Sequence, residues 1–193
     1  MERVLTRKKE LPEALNFIIE SGSNFNEVKD ILFKYDYKDF KDLFHPERAE
    51  VGEGTYFRMA VYNGRCSVFM MLWGPNAITA IHDHKDYDGY VKILKGSLTE
   101  IDYLPSDGFI TRGEERSGSQ GDSLYADRGA IHCVLNRTTE LAVSLHVYNT
   151  DQPGLKGVRI FDFEKRLIGI LNEKAKRSSW DISEACFGEI IEV

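Results

Sequence analysis

The chain has 193 residues, 42% of them hydrophobic and 29% charged, the composition of an ordinary globular domain long enough to bury one core. A net charge of −6, with lysines and arginines scattered rather than striped, leaves no basic footprint, so nucleic acid is set aside and a small-molecule partner is favoured. No run approaches the roughly 18 apolar residues of a membrane span, and no apolar stretch follows the basic opening residues. Cys66, Cys133 and Cys186 are odd in number and lack CxxC spacing, which argues for reduced thiols. The expectation is a cytoplasmic protein without a membrane partner, a monomer or small homo-oligomer.

Leu11, Leu15, Ile18 and Ile19 recur at helix spacing, and Asn24 with Glu27 forms a capping-box pattern ahead of Val28, Ile31, Leu32 and Tyr35. A helical N-terminal segment over residues 1–45 is therefore expected. From Thr55 the pattern changes to short alternating runs punctuated by Asn63-Gly64, Lys95-Gly96 and Asp107-Gly108, which are turn and hairpin signals. Strands are expected near 56–62, 66–72, 78–84, 90–95, 97–103, 123–126, 131–135 and 141–148, enough for an antiparallel β-barrel over residues 55–150. The extension over 151–193 is expected to add Val158-Arg159-Ile160-Phe161 and then a helix or irregular cover. There is no repeat, low-complexity tract or linker, so residues 1–193 are expected to form a single, mainly β domain.

Three of the five histidines, His82, His84 and His132, carry the chemistry. His82 and His84 stand two apart in a β-prone run, which puts both imidazoles on one strand face. His132 lies in a second strand-like segment and completes one side of a metal's coordination sphere if both strands line the same barrel, leaving the other side open. Cys133 then points away from the metal. Tyr56 and Arg58 also share a face, and hydroxyl plus guanidinium suit a carboxylate, although a surface ion pair is the commoner fate of an arginine. Along 141–148, Ala142, Ser144, His146 and Tyr148 share one face and Leu141, Val143, Leu145 and Val147 the other. That polar inner face suits a site, or a paired buried network without a catalytic part. Trp73 belongs to the wall of the same space.

The spacing of these residues resembles the two cupin motifs. His82, His84 and Gly96 match the first, with Gly89 where an acidic ligand usually stands; Gly121, Gly129, His132 and Asn136 match the second, with Asp127 in place of proline. Within the cupins, Tyr56-Phe57-Arg58, Trp73-Gly74 and Ser144-Leu145-His146-Val147-Tyr148 make the chain similar to the thiol dioxygenases, and among them to cysteine dioxygenases, from about Tyr56 to Tyr148. The resemblance implies a jelly-roll barrel with N-terminal helices and an Fe(II) site held by His82, His84 and His132. It implies that Arg58 and Tyr56 hold the substrate carboxylate, that Trp73 packs the site, and that Tyr148, His146 and Ser144 form a relay. The implied reaction adds both atoms of O2 to the sulfur of L-cysteine, giving cysteine sulfinate.

In animal members a cysteine replaces Gly89 and becomes joined to the tyrosine matching Tyr148; here that link cannot form, as in the bacterial type. Three neutral ligands leave a dication's charge uncompensated, which favours a thiolate as a further ligand. Two alternatives stand beside this expectation. One is a 3-mercaptopropionate dioxygenase, which usually carries glutamine at the position of Arg58. The other is a noncatalytic or isomerase cupin holding an ion such as zinc or nickel.

Overall fold

The structure is a computed structural model and describes residues 10–193; the first nine residues of the expected helical segment lie outside it. Three short helices come first: α1 (Leu11–Ser21), α2 (Phe25–Leu32) and α3 (Tyr37–Phe44). The Asn24 side chain accepts from the Glu27 amide and Glu27 reaches back to the Asn24 amide, the expected capping box. Asp36 and Asp39 build a second one at the start of α3. Helix α1 ends at Gly22, whose φ of 62° needs a residue without Cβ strain. The buried faces carry Leu11, Ile18, Val28, Leu32 and Phe40, while Ile19 is left exposed.

Twelve strands follow: β1 (Tyr56–Asn63), β2 (Ser67–Trp73), β3 (Ile81–Asp83), β4 (Gly89–Lys95), β5 (Ser97–Ser106), β6 (Phe109–Ser119), β7 (Ser123–Ala126), β8 (Ile131–Leu135), β9 (Ala142–Tyr148), β10 (Arg159–Asp162), β11 (Leu167–Leu171) and β12 (Phe187–Glu192). They form two antiparallel sheets, in the orders β1-β2-β9-β4-β7 and β12-β11-β10-β3-β8-β5-β6. The fold is the expected cupin jelly roll. Side-chain alternation on β2 and β9 sorts the chemistry. Val68, Met70, Leu72, Val143, Leu145 and Val147 pack outward against the helices. Phe69, Met71, Trp73 and Ala142 point inward to meet Leu98 and Val134 of the other sheet. Because the helices cover the outer face of the first sheet, its central strands are buried on both sides, and its inner face is free to hold polar groups.

The structure departs from expectation in four places, each with a local cause. Strand β6 has no counterpart in the expected set, because only Phe109 and Ile110 are buried and the rest is a polar sheet edge. The Asp107-Gly108 signal marked its turn: Ser106 pairs with Phe109, and both turn residues have positive φ, 40° and 79°. Lys95-Gly96 is a switch between sheets rather than a hairpin, taking the chain from β4 to β5 through a φ of 75° at Gly96. The 78–84 strand contracts to Ile81–Asp83, although amide bonds from Thr79 to Val134 and from His84 to Ala130 keep its flanks beside β8. The extension after β10 builds β11, β12 and a short 3-10 turn instead of an α-helix.

Asn136 is a fully buried clamp. Its amide donates to the carbonyls of Trp73, Gly74 and Glu140 while its oxygen accepts from Thr138, tying the end of β2 to the β8–β9 connection. Among the described residues no helix is long and apolar enough to cross a membrane.

Candidate active site and metal centre

Register brings the histidines together. His82 on β3 pairs directly with His132 on β8, and His84 follows β3 with its amide bonded to Ala130 beside β8. Ring centroids lie 4.8 Å apart for His82 and His132, 4.7 Å for His84 and His132, and 5.9 Å for His82 and His84. One ring nitrogen from each lies within 4.8 Å of the others. The intervening Asp83 turns the other way, where its carboxylate accepts from the Arg159 amide at 2.8 Å and Nε at 2.6 Å, fastening β10 to β3.

What surrounds the rings fixes which nitrogen faces inward. His82 Nδ1 donates to the Ala80 carbonyl at 2.9 Å, and His132 Nδ1 is bonded to the Glu100 carboxylate, so Nε2 of each is left for the shared space. A histidine that gives one N–H to a carbonyl or carboxylate and turns the other nitrogen to a common point is the arrangement metal ligands require. The buried His84 Nδ1 has no partner among the described residues, and the Tyr87 ring stacks on His84 with centroids 5.2 Å apart. Burial, then the neighbouring His132, pushes His82 down to about 3 and holds His84 well below the ordinary histidine range. Both are neutral at ordinary pH, as ligand nitrogens must be. The donor set fits a metal ion.

Glu100 escaped the sequence reading. It is 3% exposed on β5 and is steadied by Arg116, which also binds Asp102 at 2.8 Å. Burial pushes its carboxyl up, but the bonds to His132 and the charge of Arg116 outweigh this and leave it below the usual range. Its signal was a lone acid in the apolar run Leu98-Thr99-Glu100-Ile101.

Opposite, on β9, a chain of hydrogen bonds runs from Trp73 through Ser144 and His146 to Tyr148. Trp73 Nε1 lies 2.9 Å from Ser144 Oγ, Ser144 Oγ 2.8 Å from His146 Nε2, and His146 Nδ1 2.9 Å from the Tyr148 hydroxyl. Indole N–H can only donate, so Ser144 accepts from it and gives its own proton to His146 Nε2. His146 is held neutral, at about 3, by burial and by Arg58. Its Nδ1–H therefore donates to Tyr148 Oη, and the phenol proton is left to point into the pocket. Burial, then Tyr87, raises the Tyr148 pKa and keeps that proton in place.

Arg58 and Tyr56 close the third side from β1. The guanidinium stacks 4.3 Å over the Phe69 ring and donates to the Pro153 carbonyl at 3.3 Å. Tyr56 stacks on Trp73 at 5.2 Å, and its hydroxyl accepts from the Ser178 amide at 2.6 Å and donates to the Ser178 carbonyl at 3.4 Å. The Ala80 amide also donates to that carbonyl, so the C-terminal extension is pinned to the segment that carries His82. The three histidines thus meet one another, the relay reaches them at Tyr148, whose ring lies 5.7 Å from His84, and Tyr56 and Arg58 adjoin through Trp73 and Phe69.

The sequence pattern of the family described as Cysteine dioxygenase type I matches residues 12–164. The chain belongs to that family. It is 30% identical over 168 residues to cysteine dioxygenase type 1 of Danio rerio, covering 80% of this chain and 78% of the relative. The Rattus norvegicus protein of the same name is 32% identical over 133 residues, 65% of each chain. Among solved structures, a recombinant oxalate oxidase in complex with glycolate aligns with a TM-score of 0.46 at 16% identity over 54% of each chain. For a member of the cysteine dioxygenase type I family, the three-histidine group makes a metal the cofactor.

Gly89 is a close-approach position in this family member. It pairs with Tyr148 across β4 and β9, and a Cβ on it would lie 2.7 Å from Tyr148 Cδ1 and 3.2 Å from Cε1. The cysteines lie elsewhere: Cys66 in the core under the helices, Cys133 against Tyr103, and Cys186 in the C-terminal extension. Gly89→Ala should push the Tyr148 ring off its bond to His146, lowering kcat more than it raises KM and costing about 1–3 kcal/mol of stability. Unchanged kcat in steady-state assays would show that the ring has slack.

The buried His146 also sets a pH dependence. Below about pH 6.5 the unfolded chain protonates this residue, whereas the folded chain resists until about 3. Stability conferred by neutrality is therefore complete above that window and declines as pH falls through it, by up to about 1.4 kcal/mol per pH unit. Urea denaturation of the metal-free protein should show a shallower decline below about pH 6.5 for His146→Gln than for the wild type; equal slopes would mean that His146 is not held neutral.

Proposed function

We propose that the chain is a non-haem iron dioxygenase that adds both atoms of O2 to the sulfur of L-cysteine and yields cysteine sulfinate. The observation that carries this reading is three imidazoles with ring nitrogens within 4.8 Å of one another and no carboxylate among them, with the buried Tyr148 phenol beside His84 and the charge of Arg58 felt at His82. His82, His84 and His132 would hold Fe(II), which when bound supplies the redox chemistry that O2 needs and favours a thiolate ligand.

The remaining roles fall to side chains of the chain itself. Arg58 receives the substrate carboxylate in a charge-assisted bond. Tyr56 adds its hydroxyl proton, held only by the long bond to Ser178, and Trp73 forms the wall behind it. Tyr148 donates its O–H to oxygen or substrate as charge develops, in the one orientation that His146 and Ser144 allow. Burial of Trp73, Ser144 and His146 excludes water from the back of the relay. We place the activity in the cytoplasm, where the three free thiols stay reduced.

Oxygen uptake by the iron-loaded protein tests the reading. The wild type should consume one O2 per cysteine converted, and Arg58→Gln should raise KM for L-cysteine about tenfold, the difference between a charge-assisted and a neutral hydrogen bond. Affinity for cysteamine, which lacks the carboxylate, should not fall. Absence of thiol-dependent uptake would remove the dioxygenase reading in favour of a binding or isomerase role, and equal losses for both thiols would make Arg58 structural.

A further inference from the structure

A cavity of about 780 Å³ is lined by Tyr56, Arg58 and Phe69. This is far more space than a three-carbon thiol fills, and it falls in the range of sites that enclose much larger ligands. Its other wall is the stretch over 173–186, part of the extension beyond the residues that match the family pattern. That stretch is fixed over the site by the paired bonds between Ser178 and Tyr56. The charges lining the cavity are Arg58, Lys174, Lys176 and Arg177 against Glu173 and Asp181, four basic and two acidic, in a chain whose net charge is −6. Lys174 and Lys176 are exposed and join no ion pair among the described residues. Two lysines without an ion-pair partner among the described residues therefore line the same concave space as Arg58. Low-dielectric walls around charge of one sign concentrate ligands of the opposite sign.

We propose that this cavity is a cationic vestibule that selects thiols by net charge, with Lys174 and Lys176 favouring anionic thiol carboxylates over cationic aminothiols before they reach Arg58. The inference rests on the reading of Arg58 as the carboxylate anchor. It gives the C-terminal extension a task in this chain: it forms the wall that carries the selecting charges. Both lysines act at a distance, so the field should weaken affinity or strengthen it according to ligand charge while leaving the turnover step alone.

The test is calorimetric titration of the anaerobic, iron-loaded protein with 3-mercaptopropionate and with cysteamine, at ionic strengths of about 0.01 M and about 1 M, where screening lengths are about 30 Å and 3 Å. The double variant K174E/K176E should bind 3-mercaptopropionate about tenfold more weakly than the wild type at low salt and equally at high salt. Cysteamine should bind the variant as well as the wild type or more tightly. Equal weakening for both thiols, a loss that persists at high salt, or no change would overturn the proposal. Binding is read without turnover, so the two claims fail separately. Charge-selective binding without thiol-dependent oxygen uptake would leave the vestibule and remove the dioxygenase reading; uptake with a silent charge reversal would do the reverse.

Discussion

Everything at this site depends on three imidazoles packed against one another, two of which, His82 and His84, burial holds uncharged. Like charges with ring centroids under 6 Å apart in a buried space would repel strongly. Burial, then the neighbouring His132, drives the protons off His82 and His84. The same neutrality makes their nitrogens available to a cation. It also leaves the site without a negative ligand of its own, and Glu100 is the counterweight. Its carboxylate does not touch the shared space but sits behind His132, bonded to Nδ1 and steadied by Arg116. The anionic charge missing at Gly89 stands one layer outward at Glu100, where it would help to compensate the charge of an ion held by the histidines.

The fold supplies this by giving each strand two different faces. The helices seal the outside of the first sheet, so the apolar half of β2 and β9 is spent there. The inward half of β9 is then free to place Ser144, His146 and Tyr148 in line, and β1 sets Tyr56 and Arg58 beside them. Because the relay begins at an indole N–H, which only donates, its polarity runs one way and ends with a phenol proton in the pocket. Gly89 beside the Tyr148 ring is part of the same construction, since a Cβ there would lie 2.7 Å from Cδ1 and crowd the ring where it now sits.

Most of the site was legible because strand alternation is a local rule. Ser144, His146 and Tyr148 could be placed on one face from their spacing, and His82 with His84 likewise. The long-range pairing that sets His82 against His132 was accessible only through the resemblance of the two motifs, since no local pattern fixes which strands become neighbours. Glu100 was missed because its role comes entirely from that pairing: β5 lies beside β8, and nothing in the neighbouring sequence says so. Strand β6 was missed for a different reason. An edge strand with one face in water has little hydrophobic period to read, even though its Asp107-Gly108 turn was visible. Asn136 held its motif position, but only the packed structure shows it as a clamp between Trp73 and the β8–β9 connection.

The claim at the centre is that His82, His84 and His132 are the complete protein ligand set. Equilibrium dialysis of Fe(II) under anaerobic conditions, against the wild type and each single His→Ala variant, measures it most directly. One ion per wild-type chain is expected, with each variant weakened beyond the roughly 10- to 100-fold cost of losing an outer partner such as Glu100. Near-wild-type affinity in His132→Ala, with the fold intact by circular dichroism, would contradict it.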